Sequence, residues 1–274
     1  MPLNNKRIGF IGGGAMAEAI ISGIIKAGLI APEQILVSDL SDGRREHLQS
    51  KYGVAATRDN IGVVSHADLL ILAVKPYVMG DVLAQTGGHV SENQTIISIA
   101  AGITTGFIEK LLVGKVPVVR VIPNTPVLVG AGATAVCCGR WASENHRQLA
   151  LSMFGAVGLA VPVAENLIDA VTGLSGSGPA YMYVIAEAMA DAGVRAGLPR
   201  EIALALAAQT MLGASRMLLE TGSHPGVLKD LVTTPGGTTI EGLYALEEGN
   251  LRAVIGKAVE NASRRSRQMS MENK

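Results

Sequence analysis

Apolar residues in the first 162 positions occur in short runs that alternate with segments of helical spacing. The runs lie at residues 7–11, 34–38, 69–73, 95–99, 116–121 and 134–137, and most are rich in Val, Ile and Leu. Short apolar runs between helices are typical of parallel strands covered by helices on both faces. The pattern therefore predicts an α/β domain built on a Rossmann-like, doubly wound parallel sheet.

The pattern changes near residue 165, after which strand signals are almost absent. Residues 180–196, 200–219 and 251–268 carry Ala, Leu, Met and Glu at helical spacing. We therefore predict a dinucleotide-binding domain over residues 1–164 and an all-α domain over residues 165–274. The segment 202–212 is apolar on more than one face. Because so small a domain cannot enclose this segment alone, the pattern also predicts a homodimer.

A glycine-rich turn follows the first predicted strand and leads directly into a helix. Gly12 allows a tight turn, Gly14 allows close approach of a ligand to the backbone, and Ala17 lets the helix press on the strand. The alternative is a glycine-rich turn without a ligand. Asp39 ends the second predicted strand at the spacing that a ribose contact needs, so the context favours a dinucleotide site.

A second glycine-rich segment, residues 231–240, lies among the predicted helices. Pro235, Gly236 and Gly237 precede Thr238 and Thr239. Backbone N–H groups at a helix start, with threonine hydroxyls beside them, form a ready site for an anion. The alternative is a well-capped helix with no ligand.

Composition excludes several other functions. The 23 basic residues balance the 23 acidic ones, which argues against nucleic acid or an anionic membrane as a partner. The five histidines show no metal-ligand spacing with each other or with the cysteines, so we expect no metal. Cys137 and Cys138 are adjacent and cannot easily close a disulfide, which indicates reduced thiols. With no signal-peptide core and no apolar run of membrane-spanning length, we expect a cytoplasmic protein.

The motifs that carry a family resemblance lie at residues 9–17, 73–76, 120–126, 174–181 and 228–239. With these motifs in this order, the chain closely resembles the pyrroline-5-carboxylate reductases, which reduce 1-pyrroline-5-carboxylate to L-proline. The resemblance implies a nucleotide domain and a helical dimerisation domain, with dimers that in some members assemble into decamers. It also implies that residues 233–239 bind substrate, completing a site against the partner's nucleotide domain.

The resemblance and the predicted helix start together assign roles to the substrate residues. The hypothesis is that the N–H groups of Gly236, Gly237 and Thr238 hold the substrate carboxylate, and that the Thr239 hydroxyl is catalytic, hydrogen-bonding the ring nitrogen. Ser175 and Thr234 complete the predicted substrate set. Tyr181 is a second candidate proton source, and a buried phenol that supports helix packing is its alternative.

The residues assigned to the cofactor lie mostly where predicted strands end. They are Ile11, Gly12, Gly14, Ala15, Met16, Ser38, Asp39, Arg44, Asn60, Ala73, Val74, Lys75, Pro76, Ala100 and Asn124. Ala15 stands where the family usually has Asn. Taken alone, Lys75 also fits a solvated loop lysine, and Asn124 fits a rigid turn between two prolines.

The choice between the two nicotinamide cofactors depends on the end of the second strand. Asp39 favours the free ribose hydroxyl of NADH, whereas Ser41, Arg44 and Arg45 could hold the 2′-phosphate of NADPH. We predict NADP(H), with some use of NAD(H). The alternative functions are another cyclic-imine or hydroxyacid reductase of the same architecture, and a non-catalytic dinucleotide-binding regulatory protein.

Overall fold

The computed structural model describes residue 3 and residues 5–272. Its strands are β1 (Ile8–Ile11), β2 (Ile35–Ser38), β3 (Ala55–Thr57), β4 (Leu69–Leu72), β5 (Thr95–Ser98), β6 (Val118–Ile122), β7 (Gly132–Cys138) and β8 (Gly158–Pro162). Its helices are α1 (Ala15–Lys26), α2 (Asp42–Tyr52), α3 (Asn60–His66), α4 (Met79–Thr86), α5 (Thr105–Lys110), α6 (Glu144–Gly155), α7 (Ile168–Val171), α8 (Gly178–Arg195), α9 (Arg200–Thr221), α10 (Pro225–Leu231), α11 (Thr238–Glu248) and α12 (Leu251–Glu272).

The eight strands form one sheet in the order β3-β2-β1-β4-β5-β6-β7-β8. The first six are parallel and follow the doubly wound order, so the predicted fold class is confirmed. The prediction of a parallel sheet throughout was wrong at β7, which pairs antiparallel with β6. The pattern also missed β3, which has only three residues, and β8, whose Leu159 and Val161 are exposed.

The strands β1, β4, β5 and β6 are buried on both faces of the sheet, and successive residues of each strand face opposite ways. In β4, Leu69 and Ile71 belong to the apolar cluster that contains α1, whereas Leu70 and Leu72 belong to the cluster that contains α3 and α4. All four side chains are essentially inaccessible to solvent. This two-sided burial explains why the strand reads as a continuous apolar run.

The chain divides into two compact units, and their boundary differs from the predicted one. The first unit contains the residues up to Ser177 together with those from Asn261 onward, and the second is Gly178–Glu260. The predicted boundary at 164/165 remains a prediction, and by their contacts residues 165–177 pack on the sheet unit. Thr105 donates through its backbone N–H and its hydroxyl to Glu165, at 2.8 and 2.6 Å. The Ser266 hydroxyl, near the end of α12, donates to Asp169 at 2.7 Å.

The helical unit buries few large side chains. Among the described residues, its buried apolar side chains are Ala190, Ala203 and Ala207. Helices α8 and α9 approach closely where a Cβ on Gly193 would lie 3.1 Å from that of Ala203. Large apolar side chains are exposed instead, and Leu219 is 77% accessible. This surface leaves the helical unit without enough enclosed apolar volume of its own.

Helix α9 is long and apolar enough to cross a membrane by length and composition alone, and it is largely exposed in the single chain. The sequence prediction concerned uninterrupted apolar runs, which is a narrower criterion than the length and composition of a helix. Gln209 and Thr210 interrupt the apolar residues of α9, so the helix contains no uninterrupted apolar run of membrane-spanning length. One such helix is weak evidence for a membrane, because a helix enclosed by self-association has the same composition.

Candidate active site

The glycine turn after β1 brings three strand ends together. The Gly12 N–H donates to the Ser38 carbonyl at 2.8 Å, and the Ala73 N–H donates to the Ile11 carbonyl at 2.9 Å. Gly12 has a φ of +99°, and a Cβ there would lie 2.7 Å from the Ala73 carbonyl oxygen. Only glycine satisfies both the backbone conformation and the close approach. The ends of β1, β2 and β4 therefore meet where ligands bind in open α/β sheets.

The start of α1 is open to an anion. Gly14 is the N-cap of this helix and makes no side-chain capping bond, so the first N–H groups, at Ala15 and Met16, have no side-chain cap. A Cβ at Gly14 would meet no atom within 4 Å, which leaves space beside the backbone. Ala17 is buried and packs in the core beneath. The turn therefore fits the pyrophosphate of a dinucleotide.

Two residues predicted to contact the cofactor hold the glycine turn itself. The Gly13 N–H donates to Asp39 Oδ2 at 2.8 Å, and the Ser41 N–H donates to Asp39 Oδ1 at 2.9 Å. Arg44 donates through Nε and Nη2 to the Gly13 carbonyl at 2.8 and 2.6 Å. Both side chains lie at the expected end of β2, and both stabilise the backbone on which a pyrophosphate would lie.

Glu18, in the first turn of α1, accepts hydrogen bonds from four side chains of α2. Its partners are Arg44 Nη2 at 2.8 Å, His47 Nε2 at 2.9 Å, and Lys51 Nζ and the Tyr52 hydroxyl at 3.0 Å. Burial raises the pKa of the Glu18 carboxyl, but these hydrogen bonds outweigh burial and hold the pKa far below its usual range. The same contacts raise the pKa of Lys51. This cluster could not be predicted from the sequence, because its residues belong to two different helices.

The remaining cofactor residues lie at the same edge with different degrees of burial. The Ser38 hydroxyl donates to Asn60 Oδ1 at 2.6 Å, and Asn60 Nδ2 donates to Gln85 at 2.9 Å. Ala100, after β5, is buried, whereas Lys75 is exposed beside the short 3₁₀ turn that Pro76 begins. Val74 lies between Ala73 and Lys75 and contacts Gly12. The cofactor assignments made from the sequence therefore remain predictions, now with known positions.

Asn124 lies after β6, and its side chain contacts protein on both sides. Asn124 Oδ1 accepts from the Ala133 N–H at 2.8 Å, and Nδ2 donates to the Ser175 carbonyl at 3.0 Å. Ser175 belongs to a π-helical turn, Thr172–Gly176, and its hydroxyl donates to the Val171 carbonyl at 3.1 Å. The structure thus joins a residue predicted to bind cofactor to one predicted to bind substrate.

A buried cation holds the segment that leads to this turn. Arg120, in the middle of β6, is 2% exposed and pairs through Nη1 with Glu165 at 3.3 Å. Its Nε and Nη2 have no hydrogen-bond partner among the described residues. This pair could not be predicted, because two residues 45 positions apart show no local signal in the sequence.

The second glycine loop lies in the helical unit, between α10 and α11. Gly236 has a φ of +66°, and a Cβ on Gly237 would run into the Thr234 hydroxyl. The Gly237 N–H donates to the Thr234 carbonyl at 3.1 Å, so this N–H is already engaged by the loop. Gly237 is also the N-cap of α11 and makes no side-chain capping bond. The first N–H groups of α11 therefore lack a side-chain partner.

The two candidate proton donors differ in their surroundings. The half-buried Thr239 hydroxyl makes no hydrogen bond within the described part of the chain. The Tyr181 hydroxyl donates to the Ala258 carbonyl at 3.4 Å. A free hydroxyl at a helix start is better suited to a ligand than a phenol that packs α8 against α12.

Metal chemistry finds no support in residue 3 or residues 5–272, which contain no cluster of three His, Cys, Asp or Glu side chains able to hold an ion. Cys137 and Cys138 are free thiols. Burial, together with the nearby Glu165, raises the pKa of Cys137 to about 12, and burial raises the pKa of Cys138. Neither thiol is poised to act as a ligand or nucleophile at neutral pH.

The sheet order, the glycine turn at its carboxyl edge and the open start of α1 define a dinucleotide-dependent oxidoreductase. Residues 7–102 match the family model described as NADP oxidoreductase, coenzyme F420-dependent. Residues 165–269 match the model described as pyrroline-5-carboxylate reductase dimerisation. The chain belongs to the pyrroline-5-carboxylate reductase family, uses NAD(P)H and associates with itself.

Individual relatives agree over nearly the whole chain. The pyrroline-5-carboxylate reductase of Methanosarcina acetivorans is 47% identical over 267 residues, which cover 97% of this chain and 99% of the relative. The structure of a pyrroline-5-carboxylate reductase from Coxiella burnetii matches with a TM-score of 0.93 at 41% identity, covering 97% and 99% of the two chains. The Plasmodium falciparum enzyme, solved with NADP bound, matches with a TM-score of 0.87 at 32% identity, covering 98% and 99%.

Proposed function

We propose that this enzyme reduces the C=N bond of 1-pyrroline-5-carboxylate to give L-proline, the last step of proline biosynthesis. The observation that carries the proposal is the second glycine loop, in which the start of α11 presents N–H groups without a side-chain cap and a Thr239 hydroxyl that bonds to none of the described residues. A small cyclic substrate with one carboxylate and one ring nitrogen requires such a pair of groups. The glycine turn of the sheet unit serves the cofactor.

Hydride transfer to the imine carbon depends more on alignment of the cofactor and the substrate than on a strong general acid. When bound, NAD(P)H supplies the hydride, and a protonated or strongly hydrogen-bonded imine carbon is already electrophilic. The N–H groups of Gly236 and Thr238 bind the carboxylate, while that of Gly237 keeps the loop in shape through the Thr234 carbonyl. The Thr239 hydroxyl donates to the ring nitrogen.

Ser175 contributes an acceptor. Its hydroxyl proton is engaged by the Val171 carbonyl, so the oxygen offers lone pairs and no proton. Thr239 donates to the unprotonated ring nitrogen; once that proton has passed to the nitrogen, the new N–H donates to the Ser175 oxygen, whose lone pairs would repel a carboxylate. We therefore assign Ser175 to the nitrogen side of the substrate.

Both nicotinamide cofactors fit the end of β2, and we propose that NADPH is preferred, with some use of NADH. Each Asp39 oxygen keeps a lone pair beyond its bond to Gly13 or Ser41, which suits a ribose hydroxyl. Arg45 donates to the Asp39 carbonyl and pairs with Asp42, and the Ser41 hydroxyl accepts from the Arg44 N–H, so a 2′-phosphate at the start of α2 would take the donors that these contacts leave. Measuring the ratio of kcat/KM for the two cofactors tests this preference, and a strong preference for NADH contradicts it.

The self-association is proposed to be a homodimer formed through the helical unit, in the cytoplasm. The exposed apolar faces of α8 and α9 support a second copy as the occupant of that surface. A decamer built from five such dimers is the larger assembly that the family resemblance implies.

The test is NADPH oxidation by the purified enzyme with 1-pyrroline-5-carboxylate, piperideine carboxylates and ketoacids, followed by the reverse reaction with L-proline and NADP at high pH. We expect turnover to be fastest with 1-pyrroline-5-carboxylate. Faster turnover of another imine or of a ketoacid supports a related reductase instead, and cofactor binding without turnover supports a regulatory protein.

The role of Thr239 is tested separately by Thr239→Ala. We expect kcat to fall about 10- to 1000-fold, the range spanned by general acid catalysis and positioning, with the dinucleotide Kd unchanged. Thr221→Ala, at the exposed end of α9, is the matched control and should keep wild-type kcat. Full turnover in Thr239→Ala would show that another group donates the proton.

A further inference from the structure

The side chain of Asn124 is almost fully buried, and the protein uses both ends of its amide. It is 8% exposed, its oxygen accepts from the Ala133 N–H, and its nitrogen donates to the Ser175 carbonyl. Because one end accepts and the other donates, these two partners fix the direction in which the amide faces. Asn124 therefore ties the loop after β6 to the first residues of β7 and to the π-turn at residues 172–176.

The Ser175 carbonyl has a particular need for a donor from outside its own helix. In a continuing α-helix it would accept from the backbone nitrogen four residues later, which belongs to Pro179. Proline has no N–H, so this hydrogen bond cannot form. Asn124 Nδ2 supplies a donor to a carbonyl that the sequence leaves without its α-helical partner.

The π-turn is held at several other points, so Ser175 has little freedom. The Ser177 N–H donates to the Thr172 carbonyl at 2.8 Å, which closes the wide turn. The Ser175 hydroxyl donates to the Val171 carbonyl. With its main-chain oxygen held by Asn124 and its hydroxyl proton held by Val171, Ser175 presents its lone pairs in one direction. Wide turns of this kind occur often at functional sites.

We infer that Asn124 is a positioning residue for imine reduction, acting through the Ser175 carbonyl and the π-turn rather than by contact with the dinucleotide. Its place in the chain predicts a contact between Asn124 and the cofactor. The contacts of the amide point instead to the substrate side. This inference rests on the proposed function, because it requires that Ser175 contact the imine.

The first experiment compares Asn124→Asp with the wild-type enzyme. Aspartate has the same shape and can still accept from the Ala133 N–H, but it places an oxygen against the Ser175 carbonyl in place of a donor. We expect kcat/KM for 1-pyrroline-5-carboxylate to fall about 10- to 100-fold, as loss of a buried donor implies. The Kd of NADPH, measured by fluorescence without the imine, should change less than about twofold. A merely structural role would change both kcat/KM for the imine and the Kd of NADPH.

Asn93→Asp is the matched control, because it makes the same chemical change at an exposed turn before β5. It should leave both quantities at wild-type values. Asn124→Ser is the second variant, since its shorter side chain cannot reach the Ser175 carbonyl or the Ala133 N–H and buries no carboxylate. It should show the same separation between imine kinetics and NADPH affinity, so the inference stays testable if Asn124→Asp fails to fold.

A double-mutant cycle tests whether Asn124 acts through Ser175. If it does, the losses of kcat/KM in Ser175→Ala and Asn124→Ser should be non-additive, and the double variant should have a kcat/KM close to that of the less active single variant. Additive losses, or a rise of about tenfold in the NADPH Kd with unchanged imine kinetics, would overturn the inference. Failure of the proposed function is distinct, because the wild-type enzyme would then show no imine-dependent NADPH oxidation.

Discussion

The guanidinium of Arg44 makes two hydrogen bonds to the carbonyl oxygen of Gly13, through Nε at 2.8 Å and Nη2 at 2.6 Å. Nη2 also pairs with Glu18, so one side chain of α2 joins the glycine turn to the first turn of α1. Asp39 accepts from the Gly13 N–H, so the two peptide groups on either side of Gly13 are each held by a side chain. The backbone of the turn is thereby held in shape before any cofactor binds.

We predict that Arg44→Met weakens the binding of NADPH and NADH alike. Loss of charge-assisted hydrogen bonds to the Gly13 carbonyl relaxes the turn, and about 1.5–3 kcal/mol corresponds to a Kd increase of roughly 10- to 100-fold. The measurement is the Kd of each cofactor by fluorescence. Arg147→Met, on the exposed surface of α6, is the control and should bind both normally. A loss confined to NADPH would show that Arg44 serves the 2′-phosphate only.

The two glycines of the turn are predicted to respond differently to alanine. Gly12→Ala forces a positive φ on a residue with a Cβ and drives that Cβ against the Ala73 carbonyl, so it should cost about 1–3 kcal/mol or more of folding stability. Gly14→Ala meets no atom within 4 Å and should leave the thermal midpoint nearly unchanged while raising the Kd of the dinucleotide. Calorimetry and cofactor titration check both. Normal cofactor affinity in Gly14→Ala would place the pyrophosphate elsewhere.

The Glu18 cluster predicts a dependence of stability on acid pH. Hydrogen bonds lower the pKa of Glu18 in the folded state, so its contribution to the free energy of unfolding is present above its ordinary pKa of about 4.5. That contribution is lost as the pH falls below this value towards the folded pKa. Glu18→Gln should therefore be about 1–3 kcal/mol less stable at pH 7. The difference from wild type should shrink below pH 4.5, as urea titrations at several pH values will show. A pH-independent difference would contradict this account.

Self-association through the helical unit is predicted to fail when a charge is placed on α9. Leu204 is 51% exposed in the single chain, and Leu204→Glu would bury an unpaired carboxylate in the interface. Sedimentation equilibrium should show dissociation at concentrations where the wild-type chain is associated. Val113→Glu, an equally drastic change on the exposed surface of the sheet unit, should not alter the assembly. Binding of the wild-type chain to lipid vesicles without self-association would favour a membrane as the occupant of α9.

The sequence predicted the parts of the fold that local pattern encodes. Gly12, Gly14 and Ala17 mark the turn because their spacing reflects a steric demand within one βα unit. The antiparallel direction of β7 was not predicted, although the length of the preceding connection indicates it. The connection over residues 123–131 contains only a short 3₁₀ helix, Thr125–Val129, whereas a parallel crossover needs about a dozen residues or more. A nine-residue link is better matched to an antiparallel return.

The parts that could not be predicted depend on contacts between distant residues. Glu165 reaches Arg120 and Thr105, which places residues 165–177 on the sheet unit, and no local pattern records such pairs. The assignment of Asn124 to the cofactor stays a prediction, and its partners Ala133 and Ser175 became known only from the fold. The sequence alone does not predict which partner a polar side chain bonds when several are possible.

The reversal of β7 has a consequence for how this end of the sheet is built. Strand β7 has seven residues, so its two ends are separated by about 20 Å. Because it runs against β6, its opening peptide lies near the point where β6 finishes, within reach of the Asn124 amide. If β7 ran parallel to β6, its first peptide would lie at the opposite edge of the sheet. One hairpin-like return thus replaces the crossover helix that would otherwise lie over this rim, and leaves the space there free for residues from later in the chain.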